Sequence, residues 1–389
     1  MIARAPAPRR PERGVPTVES SLTIPGAALA GGAAPMGFYF AVTTAILLGL
    51  IRLGREFLVP LVVATLLFVL ALAITERIGS AAIGGWRPPK WLARLLSLAF
   101  VFVVFLAIGT AISGQAGAIS QAAPRYAERF QILEARAADL LGAGFAAGIQ
   151  RAVAGVDIGA WASNVITSVG GALGTVFLVL LYVVFMAVEH GAFQAKLPRL
   201  CAGEAEADHF ARVLRSISTR VQNYMGITTL TCAMSAAAAF AILKWVGVDF
   251  ALTLALIVFF AKFIPTVGSM IGIGAASLMA LLQFDTITPF LIVLVVYGGV
   301  DFIIGMVIQP ALQGKSLNLS PFMGMAALAF WGLMWGTVGA FLAVPMTVAT
   351  MIICAEFPRL RPFAVLLSSD GQMPNADQGE GLDERKNRL

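Results

Sequence analysis

Charge is what this chain of 389 residues lacks: Asp, Glu, Lys and Arg make up only 12% of it, against about 25% in an ordinary soluble domain. The shortage excludes a water-facing globule, whose surface would carry large apolar patches. Histidine is nearly missing, with His190 and His209 nineteen residues apart, and the three cysteines, Cys201, Cys232 and Cys354, form no CxxC pair. Neither set has metal-ligand spacing, so no metal is expected. GxSxG, a Walker loop and a dinucleotide fingerprint are absent from the sequence, so no cofactor is expected. No HExxH or paired acids lie within an apolar run, which argues against an enzyme.

What is there is apolar: 59% of residues are hydrophobic, with a mean hydropathy of +0.86. This composition predicts an all-α polytopic membrane protein with the lipid bilayer as its main partner. The formal charge of +6 does not point to nucleic acid. Its Lys and Arg fall in loops between apolar runs, as membrane orientation requires.

Residues 1–35, rich in Pro, Ala, Gly and Arg, read as a disordered tail, too long and proline-rich for a signal peptide. Apolar runs follow at Met36–Ile51, Phe57–Thr75 and Leu95–Ile112, and residues 36–112 form a three-span unit. Ser113–Asn164 carries four basic and four acidic residues. The spacing of Tyr126, Phe130 and Leu133 predicts amphipathic helices outside or on the membrane, so 113–164 reads as an extracytoplasmic segment. Residues 165–220 hold a fourth run, Val165–Val188, and a charged stretch, Glu189–Arg220. Val221–Leu243 is the fifth run and opens a transport core over 221–356, before a tail over 357–389.

Within the core two runs are too long for one span. Phe250–Phe284 holds one charge, Lys262, and Ser316–Ala355 holds none. Each reads as a tilted span or as a broken or re-entrant pair, giving about eight transmembrane segments. Between them Thr286–Gln309 carries Asp301. Placing both tails, Glu76–Arg94 and Glu189–Arg220 in the cytoplasm gathers eighteen basic residues inside against seven outside. That bias puts both termini in the cytoplasm of a bacterial inner membrane.

The two long runs share a pattern. Shifted by 71 residues, "FFAKFIPTVGSMIGIG" (259–274) falls on "FWGLMWGTVGAFLAVP" (330–345), and Thr266-Val267-Gly268 lands on Thr337-Val338-Gly339. A duplicated unit of one span plus one broken pair fits, and broken helices in inverted repeats hold substrate near the midplane in many transporters. Re-entrant pairs would make the units inverted, and continuous spans would make them parallel. Both keep the C-terminus inside, so charge cannot separate them.

Pro265 removes a backbone donor and Gly268 permits a close turn, so the freed groups must be buried or line a polar cavity. Lys262 is either part of that cavity or snorkels to an interface. Asp301 is either an ion or proton ligand or a structural partner of Lys262. Gln309 bonds substrate or caps the span that ends at Pro310. Trp331 and Trp335 read as packing or interface anchors. The candidate pathway is therefore Lys262, Pro265, Thr266, Gly268, Asp301, Gln309, Pro310, Thr337 and Gly339.

"FIPTVGSMIG", "VIQPALQGKSLNLSP" and "WGTVGAFLAVP" occur in that order. In this the chain resembles the autoinducer-2 exporter family of PerM-type permeases, strongly from about 221 to 353. Thr266 and Ser269 depart from the usual aromatic and proline, Lys262 from a small polar or acidic residue, and Asp301 from a frequent asparagine. The resemblance carries over to Phe263, Ile264, Pro265, Gly268, Gln309, Pro310, Gly314, Pro321, Gly339 and Pro345. It implies a permease that forms homo-oligomers, with a pentamer as the suggested assembly. Family members are linked to autoinducer-2 export or to sodium–proton exchange. Three functions compete: export or exchange of a small solute such as autoinducer-2, sodium(lithium)/proton antiport, and a membrane scaffold or regulatory role.

Overall fold

The computed structural model describes residues 36–80, 88–141, 158–200, 203–313, 319–369 and 371. The N-terminal tail, most of the C-terminal tail, residues 142–157 of the amphipathic segment, Cys201, Gly314 and Lys315 lie outside the described residues. The described chain is helical, with a lone antiparallel bridge between Leu319 and Ser368. It divides into two compact units between Gly49 and Leu50. Of the first, the described part is the start of helix α1 (Met36–Leu53).

The second unit continues with α2 (Arg55–Ser80), α3 (Lys90–Leu141), α4 (Ile158–Leu200) and α5 (Glu204–Val246). Next come α6 (Ala251–Ala261), α7 (Val267–Gln283) and α8 (Thr288–Gln313). The last are α9 (Pro321–Glu356) and α10 (Arg361–Leu367). Six of these helices are long and apolar enough to cross a membrane. The chain is an all-α polytopic membrane protein.

The charged segments are not separate helices. Helix α3 runs through both the third apolar run and the start of the amphipathic segment, 52 residues in all, or about 78 Å. Ala, Glu, Gln, Arg and Leu dominate beyond the apolar part, and these favour continued helix. The amphipathic spacing remains meaningful, since Tyr126 is buried on one side of this extension. The stretch Glu189–Arg220 is divided in the same way between the end of α4 and the start of α5.

Helix α5 ends at Gly247, whose φ of 84° is left-handed and whose N–H returns to the Leu243 carbonyl, closing the last turn. The chain then enters α6 and reverses. Gln283, ending α7, accepts from the Asp249 N–H and donates to the Gly247 carbonyl, so the two ends of the α6–α7 pair lie side by side. Gly272 of α7 faces Val258 of α6. The pair is an antiparallel hairpin with its tip at 262–266.

Helix α9 reverses too. Gly336 has φ 66° and ψ −145° inside it, a region open in practice to glycine alone. Unbroken, its 36 residues would span about 54 Å. Yet Ser320 donates to the Leu367 carbonyl, only eleven residues beyond Glu356, and eleven extended residues cover at most about 40 Å. A Cβ on Gly332 would lie 3.9 Å from that of Ala340. The long run is a second antiparallel hairpin, with its tip at Gly336.

Helices α5 and α8 are the posts beside these hairpins. Ser235 of α5 and Asp301 of α8 meet the same Lys262. Leu243 and Ala239 share a core cluster with Val293 and Tyr297, so the posts run antiparallel. The first hairpin starts at the C-terminal end of α5. The base of the second meets the other end of α5, where His209 Nε2 lies 3.0 Å from Glu356 Oε2. The two hairpins therefore enter from opposite ends of α5.

Candidate functional site

The site is built where the hairpin tips reach inward. Pro265 cannot donate a backbone hydrogen bond, so α6 stops, and Ile264 N–H closes a tight turn on the Ala261 carbonyl at 2.9 Å. Thr266 then adopts φ 62°, ψ −52°, costly for a β-branched residue, on the order of 1–3 kcal/mol. Its hydroxyl donates to the Pro265 carbonyl at 2.6 Å.

Both tips carry the TVG triplet as the first turn of the returning limb. In each the threonine and valine are exposed and the glycine is buried. Each glycine lies against the carbonyl of the outgoing limb: Gly268 on Ala261 and Gly339 on Trp331. A Cβ at either place would overlap that backbone. The repeat is thus a device for closing a helical hairpin, and the glycines let two limbs touch along their backbones.

Lys262, the C-cap of α6, places its ammonium on the Asp301 carboxylate and the Ser235 hydroxyl. The two charged side chains are 6% and 2% exposed. Each charge would be costly alone in a membrane interior, and pairing with a hydroxyl in reach lowers that cost. Asp301 sits between two π-helical turns, Val293–Tyr297 and Ile304–Ile308. Such turns re-aim side chains and recur at functional sites. One turn before Asp301, the Tyr297 ring is fully buried and its hydroxyl has no hydrogen-bond partner among the described residues.

The two tips meet through aromatic rings. Phe263 of the first hairpin and Phe341 of the second have centroids 4.6 Å apart; beside them Trp331 and Trp335, both on the outgoing limb of the second hairpin, are 5.1 Å apart. These four pack in one cluster with Tyr224, Met225 and Cys232 of α5. Trp335 is buried, and its indole N–H donates to the Ile51 carbonyl at 3.1 Å. It is a packing residue.

The structure brings Lys262 and Asp301 together, and sets Pro265, Thr266 and Gly268 on one tip and Thr337 and Gly339 on the other. Gln309 and Pro310 are elsewhere, two turns beyond Asp301 or about 12 Å along α8, with Pro310 exposed. Ser235 was invisible to sequence reasoning. A serine within "AMSAAAAF" reads as a small packing residue until Lys262 is placed beside it. Phe263 stands out in the sequence only through the family resemblance, and Phe341 looks like ordinary apolar filling.

Outside the apolar layer the first hairpin is clamped by α3. Arg125 Nη2 and the Tyr126 hydroxyl reach Asp249 Oδ2 at 3.1 and 2.7 Å, and Arg129 pairs with Asp285. Burial, and then the hydrogen bond to Asp249, push the Tyr126 phenol above its ordinary value. Thr253 donates to Gln115 at 2.7 Å. Asp249 and Asp285 bracket the hairpin, so successive turns of α3 hold both its ends.

Two opposed helical hairpins, touching at their tips beside a buried ion pair, define a multi-pass membrane protein with the broken-helix plan of transporters. The description "AI-2E family transporter" matches residues 38–359. The chain belongs to that family. It is 27% identical over 336 residues to a Haemophilus influenzae protein, covering 83% of this chain and 93% of that one. It is 31% identical over 215 residues to a Borreliella burgdorferi protein, 55% and 58% of the two chains. Both bear the name "Putative transport protein". It is 25% identical over 322 residues to the AI-2 transport protein TqsA of Escherichia coli K12, 82% and 91% of the two.

Proposed function

We propose that this protein is a secondary transporter that moves a small polar solute past the meeting point of its two hairpin tips. The observation that carries the reading is the opposed pair of hairpins. Ser235, which meets the first tip, lies twelve residues from Gly247 at its base, or about 18 Å along α5. That is roughly half of a 30 Å hydrocarbon core, as a re-entrant hairpin requires. Exposed polar groups at the tips, Thr266 and Thr337, then face the middle of the membrane. Pro265, Gly268 and Gly339 shape the tips, Lys262 and Asp301 join the first tip to its post, and Gln309 and Pro310 end that post.

Autoinducer-2 is the first solute to test, because a relative of similar length is named for it. Lys262 holds the Asp301 carboxylate that a sodium(lithium)/proton antiporter would use, which favours the solute reading over antiport. The reading includes residues 221–356 as the transport core, a bacterial inner membrane with both termini in the cytoplasm, and a homo-oligomer.

The test is counterflow in proteoliposomes of the full chain, with labelled autoinducer-2 in one set and radiolabelled sodium in another. Autoinducer-2 exchange lost in Asp301→Leu is the expected result. Sodium exchange without solute exchange sinks the reading. Single cysteines at the two ends of each pair test the hairpins: Lys244 and Ile287 label from the same side of the membrane, and so do Leu319 and Phe357, if the pairs are re-entrant, and from opposite sides if they are continuous spans.

A further inference from the structure

Lys262 does what an inorganic cation does in other broken-helix sites. Lys262 itself is the C-cap of α6, an eleven-residue half-helix, the end at which the helix dipole favours positive charge. Its neighbours are a carboxylate oxygen from Asp301 and a hydroxyl oxygen from Ser235. Half-helix C-terminal ends beside oxygen donors are where sodium is held in transporters of this general plan. The three groups come from three elements, α6, α5 and α8, and the positive charge joins them across the core.

We propose that the Lys262 ammonium is a tethered substitute for a monovalent cation, so that this protein needs no inorganic cation at the junction of its first hairpin tip with α5 and α8. The alkali cation it replaces is excluded while the lysine stays. Shortening the side chain to alanine leaves Asp301, Ser235 and the α6 dipole in place around a vacated positive site. An alkali ion with the right radius then has a carboxylate and a hydroxyl ready to bind it. The proposal rests on reading the hairpin tips as the transport site, which this junction supports, but its test reads binding rather than flux. A failure of either can therefore be told from a failure of the other.

The experiment compares thermal unfolding of the purified full chain in lithium, sodium, potassium or choline chloride at equal ionic strength. Wild type is expected to melt at the same temperature in all four. Lys262→Ala is expected to melt lower in choline and to regain a saturable shift of about 2–4 °C or more in at least one alkali salt. The shift is expected to vanish when Asp301→Asn is added. Lys262→Met, whose chain fills the vacated space, is expected to be insensitive to the salt. Four results overturn the proposal: alkali-specific stabilisation of wild type, a cation-indifferent Lys262→Ala, a Lys262→Met that responds as strongly as Lys262→Ala, or a Lys262→Ala that no alkali salt restores to a folded state.

Discussion

Replacing Gly268 with alanine tests how the first hairpin is held shut. The added Cβ would overlap the Ala261 carbonyl and stand 2.5 Å from Lys262 Cα. Non-bonded carbons rest about 3.5–4.0 Å apart, so the limbs must separate by at least about 1 Å. The obstacle is backbone, which cannot rotate aside as a side chain can. Overpacking usually costs about 1–3 kcal/mol. The displacement also pulls on Lys262, whose ammonium is fixed to Asp301 and Ser235, so the upper end, about 3 kcal/mol, is expected. Gly339→Ala meets the Trp331 carbonyl and lies 2.9 Å from Trp335 Cβ, and a similar loss is expected. Gly274 and Gly299 are the controls. Both are helical with no atom within 4 Å of a built Cβ, and alanine there gains about 0.5–1 kcal/mol of helix propensity. Thermal unfolding and proteoliposome flux are measured for all four variants side by side. If Gly268→Ala and Gly339→Ala melt and transport like the controls, the backbone contact does not close the hairpins and the reasoning is refuted.

Removing Asp301 alone strands the Lys262 charge and is expected to destabilise the fold by about 3–5 kcal/mol. Lys262→Met with Asp301→Leu is expected to recover most of that in a thermal melt, and a double variant as unstable as the single would oppose it. Tyr126→Phe loses the hydrogen bond to Asp249, for about 0.5–1.5 kcal/mol. Because the folded phenol titrates above its ordinary value of 10.0, its stabilisation is fully present below that pH and is lost as pH rises through the higher folded value. Wild type is therefore expected to lose more stability than Tyr126→Phe between pH 9 and 11, and parallel melting curves would contradict this. Trp335→Phe keeps the packing but leaves the Ile51 carbonyl without its indole donor. A loss of about 1 kcal/mol is expected, and an unchanged melting temperature would argue against the bond.

Much of the fold is legible in the sequence because lipid imposes a simple rule. Uncharged runs of span length must be helices, since backbone groups in hydrocarbon have only their own helix for partners. The overlong runs, the Pro265 break and the TVG pair are visible for the same reason: each departs from what an uninterrupted span would carry. Lys262 and Asp301 stand out because charge in such runs is rare. The direction of the hairpins is another matter. Reversed and continuous pairs both keep the C-terminus on the same side and differ among basic residues only in the Lys315 loop, so charge bias has little to choose with. That choice rests on contacts between residues distant along a helix, Gly268 with Ala261, Gly339 with Trp331, and Ser320 with Leu367, and on one glycine conformation at Gly336. The site divides in the same way. Its charged members announce themselves by type, whereas Ser235, Phe263 and Phe341 become a hydroxyl ligand and a tip-to-tip contact only once three helices converge. Local chemistry sets where a membrane helix must break; how the broken ends then pair is decided by close packing across the core, a property of the assembled structure that no single segment carries.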